Sequence, residues 1–228
     1  MDRNPKPLRR LVLALMAGAA IVACTTSPTT TTASSSNPPN SAGPTNSAAS
    51  PSPGSACANE SPAPIEPPVP IESNPPGDIP DTIQYPRYAP KGAPFTVVHP
   101  EGWARKNGPA MVTFTQNLFA MTVSWSPATG APTVATAKTN DVALLHCTEA
   151  AFRLESIQPV QLPAGSSVLI RFQANSKPNS VTGKESRVEV FRYELYRNGT
   201  EVVLSLAAPV NSDVVDPWRT IRQGIKWN

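Results

Sequence analysis

Arg187-Val-Glu-Val-Phe-Arg-Tyr-Glu-Leu-Tyr-Arg197-Asn198-Gly199-Thr200-Glu-Val-Val-Leu-Ser-Leu-Ala-Ala208 decides the fold class. Two runs rich in β-branched and aromatic residues flank Asn-Gly, the dipeptide that accepts positive φ at both central positions of a tight hairpin turn. In the first arm the apolar parity slips, from Val188 and Val190 to Phe191, Tyr193 and Leu195. A bulge near Val190 would produce that slip, and so would a strand covered on both faces.

Outward from this hairpin, the period stays at two. Phe119, Met121, Val123 and Trp125 alternate with Ala120, Thr122 and Ser124, and Val168, Ile170, Phe172 and Ala174 alternate with Leu169, Arg171 and Gln173. Both read as half-buried strands. Two helices interrupt them. Over Asn140 to Arg153, Leu144, Leu145, Thr148, Ala151 and Phe152 share one arc, with His146, Glu149 and Arg153 opposite. Near the C-terminus, Asp216 is an expected N-cap, Pro217 the first helical residue, and Trp218, Ile221 and Ile225 the buried stripe. Hairpin strands with helices set between them give an α+β domain, an antiparallel sheet flanked by helices.

The N-terminal part is of another kind. Arg3, Lys6, Arg9 and Arg10 precede the apolar run Leu11 to Ala23, which is too short to span a bilayer and ends at Cys24. Ile21-Val22-Ala23-Cys24 matches a lipobox, so residues 1–23 are expected to be a lipoprotein signal peptide and Cys24 the lipidated first residue of the mature chain. The expected location is the outer face of a bacterial cell membrane, held by that anchor. Arg9-Arg10 also has a twin-arginine look, without the full motif.

Four basic residues against Asp2 in the peptide account for the whole-chain charge of +3, which leaves the mature chain near zero. Nucleic acid is not implied as a partner. Residues 24–92 hold 16 of the 28 prolines, with Ser, Thr, Ala and Asn, and no aromatic residue before Tyr85. This composition predicts a disordered tether, stiffer and polyproline-like around Pro62 to Pro80, with an r.m.s. span of about 45 Å if fully flexible. Residues 93–228 carry all four tryptophans and all six phenylalanines, enough for one core.

Three stretches resemble a known family. Phe95-Thr-Val-Val-His-Pro-Glu-Gly-Trp103 is similar to the opening strand and Pro-x-Gly-Trp turn of PsbP-like domains, the fold shared by Ran-binding Mog-type proteins and LpqN-type actinobacterial lipoproteins. Leu162-Pro-Ala-Gly165 with its strand, and Val202 to Leu206 followed by Asp216-Pro-Trp218 and Ile225-Lys-Trp227, are similar to that family's second half. The resemblance implies an α/β/α sandwich with Pro100, Gly102 and Trp103 as fold-forming positions. It also implies a non-enzymatic role in binding proteins or supporting assemblies.

The candidate site residues are few. In an exported chain Cys57 and Cys147 can form a disulfide that pins the tether to the domain, or stand as two unpaired thiols. There is no Gly-x-Ser-x-Gly elbow, and His146 beside Cys147 points about 100° away on a helix, so no catalytic residue is assigned. His99 and His146 lie too far apart in sequence to suggest a metal site, and no cofactor is implied. Trp103, Trp125, Tyr193 and Tyr196 are groove candidates, the first three also fitting a core. The expected function is binding of an envelope protein partner. The alternative is carriage of a lipid or small molecule in a pocket between sheet and helix, which a concave apolar pocket would favour.

Overall fold

The computed structural model describes residues 61–73, 79–179 and 181–228. All of them fall within one compact unit. Cys24, Cys57 and the expected signal peptide, residues 1–23, lie outside the described residues.

Ten strands occur in chain order: β1 (Arg87–Tyr88), β2 (Phe95–Val98), β3 (Ala104–Asn107), β4 (Met111–Gln116), β5 (Phe119–Pro127), β6 (Arg153–Leu162), β7 (Gly165–Asn175), β8 (Arg187–Arg197), β9 (Thr200–Pro209) and β10 (Lys226–Trp227). Between β5 and β6 run α1 (Val134–Thr136), a π-helical turn (Ala137–Asp141) and α2 (Val142–Thr148); α3 (Val215–Gln223) precedes β10. Seven strands form one antiparallel sheet in the order β3-β4-β5-β9-β8-β7-β6, and β1-β2-β10 form a small second sheet. The α+β class expected from the hairpins is the observed one.

The β8–β9 hairpin closes at Arg197 opposite Thr200, with Asn198 at φ +48° and Gly199 at φ +80°. Both signs match the twist that a two-residue turn needs. The register of β8 is unbroken against both neighbours. The parity slip therefore arises from cover on both faces: Val188 and Val190 pack in one core, Tyr193 and Leu195 in another.

The first core lies between the large sheet and a layer made of α3 and the small sheet, where Phe95, Val97, Phe114, Met121, Leu204, Trp218 and Ile221 pack together. Trp103 is buried there, 6.5 Å from Trp218 across an edge contact, and Gly102 takes φ +78° to turn the chain into it. The second core lies on the opposite face, where Ala137 and Leu145 of the helical segment cover Val168, Ile170, Phe172, Val188 and Val190.

Three local expectations are corrected. The helical segment starts earlier and ends earlier than Asn140 to Arg153: Thr133 caps it, its Oγ1 accepting from Thr136 N at 3.1 Å, and Glu149 is already extended. Ala151 sits at φ +50° and Arg153 opens β6, so Ala151 and Phe152 are not on a helix face. The π-helical turn changes the residues per turn, which is why the apolar stripe does not continue upstream at a helical period. Second, α3 is capped from Val214, and Asp216 lies inside the first turn, paired with Arg219 at 2.6 Å. Pro217 still falls within that turn, where its missing N–H has no helical acceptor to lose. Third, packed structure reaches N-terminal of residue 93: β1 pairs with β2, and Ile79 is 4% exposed in the first core. Residues 61–72 also make hydrogen bonds to the domain, described below.

Candidate functional site

The alternation in β5 and β9 has a consequence on the helical face of the sheet. Their large residues, Phe119, Met121, Val123, Leu204 and Leu206, all turn to the first core. The intervening Ala120, Thr122, Ser205 and Ala207 are small, and together with Leu118 they line a cavity of about 770 Å³. The second core is built around β7 and β8, where Leu145 and Ala137 of the helical segment pack, and β5 contributes nothing to it. Small side chains on one side of a helical layer leave space that close packing would otherwise fill.

Three further walls complete the cavity. Leu145, Thr148 and Glu149 come from α2 and its end; Ser176, Lys177 and Glu185 come from the β7–β8 connection; Ser61, Ala63, Pro64 and Glu66 come from the proline-rich segment. Phe172, Val188 and Val190 add apolar floor, and Arg192 adds a cation. The lining is thus apolar in its floor with charged groups around it, the composition of a pocket for an amphipathic molecule.

Arg192 is held from below and from the side. Its Nε donates to Glu194 Oε1 at 2.8 Å, and its Nη2 to Asp141 Oδ1 at 3.2 Å, the latter within the π-helical turn. Glu194 is completely buried, and burial pushes its carboxyl up to about 7; Arg192 opposes the shift, while Asp141 and Glu201 add to it. Burial also raises Glu149, which lines the cavity, and Glu201. A buried carboxyl near neutrality is often a general acid or base. Here Glu194 has no accessible surface on which to meet a substrate, so its role is to fix Arg192.

The proline-rich segment binds the domain with a period of three. In residues 61–73 the half-buried positions are Ala63, Glu66, Val69 and Glu72, and every other residue is exposed. Three residues make one turn of a polyproline II helix, so one ridge of that helix faces the protein. Every one of the four makes a contact. Ala63 N donates to Cys147 O at 2.7 Å and Val69 N to Asn175 Oδ1 at 3.0 Å. Asn175 Nδ2 donates to Glu66 Oε1 at 2.9 Å and to Pro67 O at 3.0 Å. Glu72 accepts from Ser186 Oγ at 3.2 Å and pairs with Lys184 Nζ at 2.7 Å.

The residues singled out by sequence are scattered. Cys147 is disulfide-bonded. His99 stacks on Phe114 with ring centroids 4.1 Å apart, and His146 is exposed and stacks on Phe152 at 5.8 Å. Because α2 ends at Thr148, His146, Glu149 and Arg153 share no helix face. Among the described residues no group of three or more potential ligands could hold a metal ion. Trp103 and Tyr193 are core residues; Trp125 packs edge-on against Phe95 at 5.6 Å. Tyr196 is half-buried beside the hairpin turn. Sequence reasoning missed the cavity. Its signal is present in the small members of the two alternating strands, Ala120, Thr122, Ser205 and Ala207, to which the sequence by itself assigned no role.

A second polar cluster occupies the other face of the sheet. The bulge between Leu154 and Ser156 directs Glu155 toward Gln173 and Arg153, and Arg171 pairs with Glu189 while lying 4.8 Å over the Phe191 ring. These groups pair with one another, apart from the buried Arg171 Nε, where the first core ends.

No family model matches the chain, and no curated protein matches it. Solved structures do superpose on it. The yeast Ran-binding protein Mog1p aligns at TM-score 0.44 and 10% identity over 64% of this chain and 96% of its own. Cyanobacterial PsbP from Synechocystis aligns at TM-score 0.44 and 11% identity over 67% and 98%. A protein from Bacteroides thetaiotaomicron aligns at TM-score 0.43 and 12% identity over 62% of this chain, which spans about half (48%) of that protein.

Proposed function

We propose that this chain is a non-enzymatic, lipid-anchored binding protein of the bacterial cell envelope, whose domain holds an amphipathic small molecule or lipid in the cavity on the helical face of its sheet. The observation that carries the reading is the cavity of about 770 Å³ floored by Ala120, Thr122, Ser205 and Ala207. Ala120, Ala207, Phe172, Val188 and Val190 accommodate a hydrocarbon part, Thr122 and Ser205 add hydroxyls, and Arg192 and Lys177 offer charge to a polar part. The lipobox at Cys24 supports attachment to the outer face of the membrane. Cys57 is the proposed disulfide partner of Cys147, because it lies six positions before Ala63, whose amide bonds the Cys147 carbonyl.

A protein partner is the second reading, favoured by one observation. On the outward side of the proline-rich segment Ile65 is 106% and Ile71 49% exposed, two polyproline turns apart, with Pro68 between them. Exposed apolar residues at that spacing suit an aromatic-lined groove on another protein.

The test is to purify the mature lipoprotein from its own envelope in mild detergent and weigh it by native mass spectrometry, beside the Ala120→Leu variant. A small molecule retained by the wild type and lost from the variant supports the cavity reading. No retained molecule, with a protein cross-linking to the Ile65 and Ile71 stripe, moves the assignment to the second reading.

A further inference from the structure

We propose that residues 61–72 are a lid that gates the cavity, latched by Asn175. The inference rests on the cavity being the binding site proposed above.

A segment with this many prolines loses little entropy when it docks, because its extended helix is already formed in the free chain. It can therefore be held by few contacts and released as a unit, which is the requirement for a two-state lid. The contacts are concentrated on one side chain. Asn175, at the end of β7 and 4% exposed, uses its full capacity: Oδ1 accepts from Val69 N and from Arg187 Nη1 at 3.2 Å, and Nδ2 donates to Glu66 and Pro67. Arg187, itself buried, orients that amide and is held in turn by Ala151 O at 2.8 Å.

The docked position matters because of where it lies. Asn175 and the docked residues Ala63, Pro64 and Glu66 all line the cavity, so the latch and the wall are the same residues. The far end is held by half-buried Glu72, which pairs with the exposed Lys184 and accepts one hydrogen bond from the buried Ser186. Such ion pairs are weak at the surface. Release of the Asn175 contacts would free the segment between Ala63 and Glu72 and open that wall.

The sequence carries this device in a recognisable form. Ala63-Pro-Ile-Glu66-Pro-Pro-Val69-Pro-Ile-Glu72 places a non-proline residue at every third position, and Val69 supplies the N–H that Asn175 reads.

The experiment uses the full lipoprotein in phosphatidylcholine nanodiscs with Ser205→Cys on the cavity floor, and measures its labelling rate by fluorescein maleimide. Val69→Pro removes one donor from the lid, keeps its polyproline form and leaves the sheet untouched. The expected result is labelling about tenfold faster in Val69→Pro, in proportion to one lost hydrogen bond, with faster hydrogen exchange at Ala63. Asn175→Ala, which removes all the latch bonds, should give a larger increase. Equal labelling rates in all three proteins would overturn the lid, as would faster exchange in residues 61–72 without faster labelling. Gated labelling in a protein that never retains a small molecule would leave the lid standing and sink the binding reading instead.

Discussion

Arg192 donates to Glu194 at 2.8 Å at a point where Glu194 has no exposed surface at all. The pair sits on the helical face of β8, with Asp141 at 3.2 Å from Arg192 and Glu201 close enough to raise Glu194 further. One carboxylate oxygen is satisfied, while Oε2 is buried without a partner. An ionised carboxylate in that setting is costly, which is the physical cause of its elevation.

A pH dependence of stability follows. The Glu194 carboxyl stands at about 7 in the folded chain against an ordinary 4.5. A group raised by folding favours the folded state while protonated, so its contribution is complete below about pH 4.5 and is lost as the pH rises through 7. Urea unfolding between pH 5 and pH 8 should register a loss of up to about 3 kcal/mol from this group. Glu194→Gln, which keeps an acceptor for Arg192, should flatten that slope. An unchanged slope in the variant would assign the titration elsewhere.

Arg192→Met should be far more damaging than its half-buried position suggests. It leaves Glu194 and Asp141 without their shared cation; at pH 8, where Glu194 is ionised in the wild type, the loss should reach about 3 kcal/mol, and it should be smaller at pH 5, where Glu194 is already protonated. Adding Glu194→Leu should recover most of that loss. Additive effects in the double variant would mean the two residues are not coupled.

Filling the floor should separate binding from folding. Ala120→Leu projects into the cavity, while the backbone register of β5 against β4 and β9 is unaffected. Affinity for any retained ligand should fall by tenfold or more, on the order of 1.4 kcal/mol, with the melting temperature within a few degrees of wild type. A ligand bound equally by both proteins would place its site elsewhere.

Gly224 ends α3 against β2, and a Cβ there would collide with both methyl groups of Val98. Its carbonyl also accepts from Arg87 Nη1 at 2.9 Å, which limits how far the turn can move. Gly224→Ala should cost about 1 to 3 kcal/mol by overpacking, and Val98→Ala in the same chain should relieve part of it. Chemical denaturation of the three variants measures both effects.

The sequence by itself determined the hairpin at Asn198-Gly199, the alternating strands and the burial of Trp218, Ile221 and Ile225, because period and turn chemistry are local properties, although α3 ends at Gln223 and Ile225 is buried beyond it. The proline content also pointed to an extended segment, and among the described residues 61–73 the burial recurs every third position. Tertiary structure decided the rest. The parity slip in β8 had two local explanations, and only packing on both faces separates them. The helical segment ends at Thr148 because β6 must begin at Arg153 to pair with β7, a constraint set by a strand distant in sequence. Ala120, Thr122, Ser205 and Ala207 look like a solvent face until the helical layer is placed over the neighbouring strands. Likewise, whether a proline-rich segment floats or docks depends on Asn175, more than a hundred residues away, presenting its amide to Val69 and Glu66.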